Sequence, residues 1–306
     1  MISPNHPVSG QRKIGILLAV LGTVLFSFKS IVIKLAYQYE IDAYQVIALR
    51  MLFSAPIYLI ILAFLCWRKP IPLQTLNTNK WTILASGVLG YYLASLLDLK
   101  GLELISAQLE RLILYTYPGF VMLFSWLVWR TMPGKNTIFA LIATWLGIFT
   151  VLGVEIQNNM LDVLWGGTLV LISAAAFGGY LILSKSGIAK LGSQQFTCFA
   201  MLVASICVGG HLSLIGDVTI SGLPWPVYGH VLILALVCTV IPSLLIAAAI
   251  SRIGPQQTSI LGGLGPIMTA LSAVYLLQEP FGLAHLLGTG LVMLGVYLVA
   301  TEKKVT

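Results

Sequence analysis

The sequence predicts an all-α polytopic membrane protein: ten transmembrane helices arranged as two inverted five-helix repeats. Three observations carry that prediction. Ten apolar runs are each long enough to cross a bilayer, basic residues are confined to alternate connections, and the second half of the chain matches the first at a fixed offset. Composition agrees, with 58% hydrophobic residues and only 9% charged, where a soluble domain carries about 25%. The mean hydropathy is +0.96.

The runs are roughly 14–36, 44–67, 81–102, 104–129, 136–154, 164–187, 194–215, 227–250, 256–277 and 283–300. A spanning helix needs about 20 apolar residues at about 1.5 Å rise each. Arg12 and Lys13 precede the first run. Arg68, Lys69 and Lys80 follow the second, Arg130 and Lys135 the fourth, Lys190 the sixth, Arg252 the eighth, and Lys303 and Lys304 the tenth. The intervening connections hold Glu40, Asp42, Glu103, Glu155, Asp162, Asp217 and Glu279 and no base. Bases on one side only place both termini in the cytoplasm and residues 155–163 outside. The net charge of +7 is therefore a topology signal, and no nucleic-acid partner is expected. Trp67, Trp81 and Trp129 at inner ends, and Trp165 and Trp225 at outer ends, fit the interfacial preference of indole.

Within the runs, Pro56, Pro118, Pro242 and Pro266 each remove a backbone hydrogen bond and are expected to bend or break the second, fourth, eighth and ninth helices. Short connections at 101–104 and 251–255 predict antiparallel hairpins. Placing Ile105 on Ile253 aligns Gln108 with Gln256, Pro118 with Pro266, Gly134 with Gly282 and Gly147 with Gly295. Near the front of each half, Phe26 and Lys34 match Phe177 and Lys185. Five helices per unit is an odd number, so the second copy enters from the opposite face, an architecture of secondary transporters. The units are read as 1–154 and 155–306.

No cleavable leader is expected, because the first run is too long for a signal-peptide core. Cys66, Cys198, Cys207 and Cys238 lack CxxC spacing, and His6, His211, His230 and His285 are scattered. No metal site, cofactor or catalytic residue is predicted.

Two five-helix halves, a proline midway along the fourth and ninth runs, and the stretch Ala-Val-Tyr-Leu-Leu-Gln-Glu-Pro (273–280) followed by Gly288 and Gly295 resemble the EamA-type ten-helix exporters of the drug/metabolite transporter superfamily. The resemblance covers the whole chain. It implies a multi-pass carrier of the bacterial inner membrane, an exporter of amino acids or related small metabolites by alternating access, with a small-molecule substrate and the bilayer as its partners. The first half departs from the pattern. Its counterpart of the signature reads Val-Trp-Arg-Thr-Met-Pro (128–133), without the acid, and the fourth run opens on Leu-Glu-Arg-Leu-Ile-Leu-Tyr-Thr-Tyr-Pro (109–118). Both departures point to a subgroup with a charged site. An embedded enzyme, or a flippase of a lipid-linked substrate, is the alternative.

The charged site is expected in one layer. Lys29, Arg50, Asp98, Glu110 and Arg111, from the first four runs, all lie about 6–10 Å outward of their span centres at 1.5 Å per residue. A charge at that depth costs about 2.5–3.5 kcal/mol or more, so these groups should face the interior and pair with one another. Residues i and i+1 stand about 100° apart on a helix, so Glu110 and Arg111 should find partners on other helices, Glu110 on Lys29 or Arg50 and Arg111 on Asp98. The layer holds one cation more than it holds acids, and that surplus, on Arg111 or Arg50, suits a ligand carboxylate. Tyr91, Tyr92, Tyr115, Tyr117 and Tyr180 are expected to line the pocket. Thr23, Ser27, Ser30 and Lys34 form a small polar stripe on the first run.

Overall fold

The computed structural model describes residues 9–130, 135–157, 159–216 and 218–301; Gly134, Asp217, Lys303 and Lys304 lie outside the described residues. Every regular element among them is helical. Eight stretches are long and apolar enough to cross a bilayer by length and composition, and two shorter apolar helices, Gly265–Leu276 and Leu283–Val299, make ten.

The first span is α1 (Ser9–Ser27) followed by α2 (Lys29–Tyr37), broken at Phe28 with no proline or glycine to announce it. The second is α3 (Ala43–Arg68), which runs through Pro56 without interruption. Asp42 starts it by accepting from the Gln45 amide at 2.8 Å, while the Gln45 side chain accepts from the Asp42 amide at 3.0 Å, so two of the orphan donors at the helix start are satisfied reciprocally. The third begins earlier than expected, at Leu73. It is built of α4 (Leu73–Ser86), a π-helical segment Gly87–Leu93 and α5 (Ala94–Leu104).

The fourth span breaks into α6 (Ala107–Leu114) and α7 (Tyr117–Trp129), and Pro118 falls in the first turn of α7, where its missing N–H costs nothing. Next come α8 (Lys135–Glu155), α9 (Met160–Leu191) and α10 (Ser193–Ile215). The eighth span is α11 (Trp225–Ala235), a π-helical segment Leu236–Val240 and the first turns of α12 (Ile241–Gly262), with Pro242 just beyond the π segment. Then α13 (Gly265–Leu276), with Pro266 in its first turn, and α14 (Leu283–Thr301) complete the chain.

The loop expected at 251–255 is not there: helical turns run on to Gly262. The hairpin is present all the same. Gly22 lies against Ile246 and Gly15 against Ile253, yet Gly265 lies against Ser27. The chain therefore descends beside α1 and climbs back within a dozen residues. The last turns of α12 plus α13 then form the ninth span, as α6 plus α7 form the fourth.

Several features recur 148 residues apart. The breaks at Tyr115–Thr116 and Gly263–Leu264 correspond, as do the two π segments. Arg130 and Gln278, which end α7 and α13, have φ of 54° and 55°, the left-handed conformation of a helix terminus. Packing follows the same exchange. Span 1 packs on span 8 and span 6 on span 3; span 2 meets span 7 and span 5 meets span 10. The last pair needs glycine, since a Cβ on Gly147 would stand 2.5 Å from the Gly288 carbonyl oxygen.

The largest buried cluster, around Ile31, Ile33, Ile47, Leu49, Leu99, Leu102 and Leu234, fills the end of the bundle that carries the acidic connections. Polar contacts tie those connections together. Glu103 accepts from the Ala43 amide at 2.5 Å, the Gln45 side chain donates to the Thr219 carbonyl at 2.9 Å, and Glu155 meets Ser106.

Candidate functional site

Two of the helix breaks, in the first and ninth spans, create the problem that the site solves. A helix interrupted in a membrane frees carbonyls that no water can reach, so protein groups must bind them. At the Phe28 break, Arg111 Nη2 donates to the Phe26 carbonyl at 2.9 Å and to the Ser27 carbonyl at 3.4 Å. Thr269 Oγ1 also donates to the Ser27 carbonyl, at 3.0 Å, and itself accepts from Arg111 Nε at 3.0 Å. At the break in the ninth span, the Tyr115 hydroxyl donates to the Gly262 carbonyl at 2.7 Å. The close approach of Tyr115 leaves no room for a Cβ on Gly265. Each break is thus sealed by a side chain from α6 or its C-terminal end.

Arg111 does not pair with Asp98, contrary to expectation. The sequence gives no sign that backbone carbonyls stand free beside it, and those carbonyls take its guanidinium. The ionic contacts converge on Lys29 instead, which pairs with Asp98 and lies 3.9 Å from Glu110 Oε1. Ser30 Oγ donates to Glu110 Oε2 at 2.6 Å. Lys29 and Ser30 sit in the first turn of α2, so the break at Phe28 aims both at the acids. Asp98 and Glu110 are 2% and 0% exposed.

Arg50 differs. It is 4% exposed, its Nε has no hydrogen-bond partner, and no acid lies within ion-pair distance among the described residues. The charged and phenolic groups that act on it are Asp98, Tyr58 and Tyr37. Asp98 Oδ1 is likewise without a hydrogen bond. Arg50, Ser54 and Tyr58 follow one face of α3, all buried, and Ser54 Oγ is also unpaired.

Four of the five predicted tyrosines form one wall. Ring centroids step from Tyr115 to Tyr117 (6.2 Å), to Phe177 (5.4 Å), to Tyr180 (5.5 Å) and to Tyr91 (5.1 Å), and the Tyr91 and Tyr180 hydroxyls are 3.0 Å apart. Tyr180 reaches Tyr91 because Gly90 has no side chain in its way. Tyr92 stands apart, its hydroxyl 2.7 Å from His211 Nδ1. Thr269, Phe177 and Tyr58 belong to the site and were not predicted. Phe177 matches Phe26 in the repeat and Tyr58 is two helical turns from Arg50, which are the only sequence signals for them.

Comparison with known proteins shows the family. The EamA-like transporter family matches twice, over residues 13–153 and 164–301. The uncharacterized transporter YcbK of Bacillus subtilis (strain 168) is 34% identical over 295 residues, covering 94% of this chain and 91% of that protein. An uncharacterized transporter of Archaeoglobus fulgidus is 23% identical over 232 residues, covering 72% and 78%. A solved crystal structure with 16% sequence identity superposes with a TM-score of 0.64, covering 95% of this chain and 98% of its own, and so shares the fold. With both halves matched by one family of membrane carriers, the chain belongs to the EamA-like transporter family.

Proposed function

We propose that the protein is a secondary transporter of the inner membrane that exports amino acids or related small metabolites by alternating access. Two inverted five-helix units, 1–154 and 155–306, form it, and both termini are cytoplasmic. The reciprocal packing of spans and the paired breaks support the two-unit reading. The confinement of bases to alternate connections supports the orientation.

The observation that carries the substrate class is Arg50. A guanidinium buried in a membrane core with no acid within ion-pair distance among the described residues is costly, and Lys29 and Arg111 are already engaged. A ligand carboxylate would complete Arg50 bidentately. Its ammonium would reach the Asp98 carboxylate, and an apolar body would lie on the tyrosine wall. A zwitterion satisfies both groups at once.

A flippase of a lipid-linked substrate is the second reading, and one cavity favours it. Space of about 430 Å³ opens between α7 and α8, lined by Thr116, Phe120, Leu123, Trp126, Leu141 and Trp145. Leu123 and Trp126 are exposed toward the bilayer. Thermal-shift titration of the purified protein separates the readings. Amino acids at about 100 times their Kd should stabilise it by about 2.7 kcal/mol. Stabilisation by quaternary ammonium compounds, with none by amino or organic acids, would overturn the proposal. Stabilisation confined to polyprenyl- or acyl-linked compounds would favour the flippase.

A further inference from the structure

The first turn of α6 is satisfied partly by Ser106 and partly from outside its own half. The Ser106 amide donates to Glu155 Oε2 at 3.4 Å, the Leu109 amide to Ser106 Oγ at 3.0 Å, and the Glu110 amide to the Ser106 carbonyl at 3.0 Å. The two amides between them go to Glu279. The Ala107 amide donates to its Oε1 at 2.8 Å and the Gln108 amide to its Oε2 at 3.3 Å. The Gln108 side chain adds bonds to Glu279 Oε2 and to the Pro280 carbonyl, both at 3.2 Å.

Glu279 is well placed to do this. Gln278 adopts the left-handed conformation that ends α13, and the Glu279 amide folds back onto the Ala273 carbonyl at 3.2 Å. The acid comes from the 164–301 family match and the helix from the 13–153 match. Its counterpart in the first half, 148 positions earlier, is Thr131, so the tie is one-sided, as the charged layer is. A carboxylate at a helix N-terminus gains from the helix dipole as well as from the hydrogen bonds. Because Glu279 is half-buried at the rim of the bundle, water can replace those bonds when the tie opens. One turn further along α6 lie Glu110 and Arg111.

We propose that Glu279 is the latch of the outer gate: its carboxylate holds the outer end of α6 against the helix 9–10 connection, and release of the bonds to Ala107 and Gln108 exposes the charged layer to the outside. This rests on the alternating-access reading above. Glu279 acts as a positioning residue, through α6, and makes no contact with the substrate site itself.

Two variants in a cysteine-free background test it. In Gln108→Cys/Pro280→Cys, oxidation or a short bismaleimide should cross-link the tie. Counterflow in proteoliposomes should then fall at least ten-fold and return on reduction of the disulfide, while ligand still shifts the melting temperature. In Glu279→Gln/Lys34→Cys, a membrane-impermeant maleimide added outside should label the single introduced thiol at least five-fold faster than in Lys34→Cys alone, with unchanged melting temperature. A cross-linked carrier that keeps half its counterflow, a pair that does not cross-link, or labelling that does not change with Glu279→Gln would each overturn the latch. Labelling and cross-linking need no substrate, so a protein that binds no amino acid but shows faster labelling would refute the proposed function and leave the latch standing.

Discussion

Replacing Lys29 by Met is expected to destabilise the protein by about 3–5 kcal/mol, the usual result of removing one partner from a buried ionic group. Asp98 pairs with this ammonium and Glu110 lies 3.9 Å from it, and both acids are almost fully buried. Two carboxylates would be left facing each other in low dielectric with Ser30 and the Arg111 beside it as their nearest help. Lys29→Met/Asp98→Asn should recover more than half of the loss, because it removes one of the stranded acids along with the base. Urea or thermal denaturation in detergent measures both. If Lys29→Met melts within about 1 kcal/mol of wild type, the ionic cluster is solvated and the description of the site fails.

Arg50→Met is expected to have the opposite signature. No acid pairs with Arg50 among the described residues, so its removal strands nothing and takes a desolvated cation out of the core. Stability should stay the same or rise. Ligand affinity should fall about 100-fold, or about 2.8 kcal/mol at about 1.4 kcal/mol per tenfold, which is the range of a charge-assisted hydrogen-bond pair. Arg50→Lys should bind with intermediate affinity, since it retains the charge but loses the planar fork. A variant that is destabilised by several kcal/mol yet binds with unchanged affinity under conditions where it is folded would mean that Arg50 is a structural cation and that the ligand anion sits elsewhere. The two variants together separate the groups that hold the bundle from the group held ready for a ligand, a distinction that burial alone does not make.

Hydrophobic runs and loop charges made the ten spans readable because a bilayer imposes their length and sidedness directly. Depth arithmetic gathered Lys29, Arg50, Asp98, Glu110 and Arg111 for the same reason. Partners within that layer were harder to foresee. Helix 1 breaks at Phe28 inside Leu-Phe-Ser-Phe-Lys-Ser, where no residue disfavours a helix; tertiary packing imposes the break, and it is the break that redirects Arg111 from Asp98 to backbone carbonyls. The reversal after the eighth span was read as a short connection at 251–255, yet helical turns run on to Gly262 before the chain climbs back. Tyr91 and Tyr92 both sit on the π-helical segment of span 3, and as adjacent residues they face different directions, so Tyr92 meets His211 instead of the tyrosine wall. Glu279 showed only as one of the connection acids and as part of a family signature. Its bonds to α6 depend on two segments about 170 residues apart (Ala107 to Glu279), a contact that no local pattern encodes.

Alternating access by a carrier for amino acids is tested most directly by counterflow. Purified protein in proteoliposomes preloaded with an unlabelled amino acid should transiently accumulate the same labelled amino acid without added energy, and Arg50→Met vesicles holding equal amounts of folded protein should not. Exchange of quaternary ammonium compounds in these vesicles, with no counterflow of any amino or organic acid, would contradict the account.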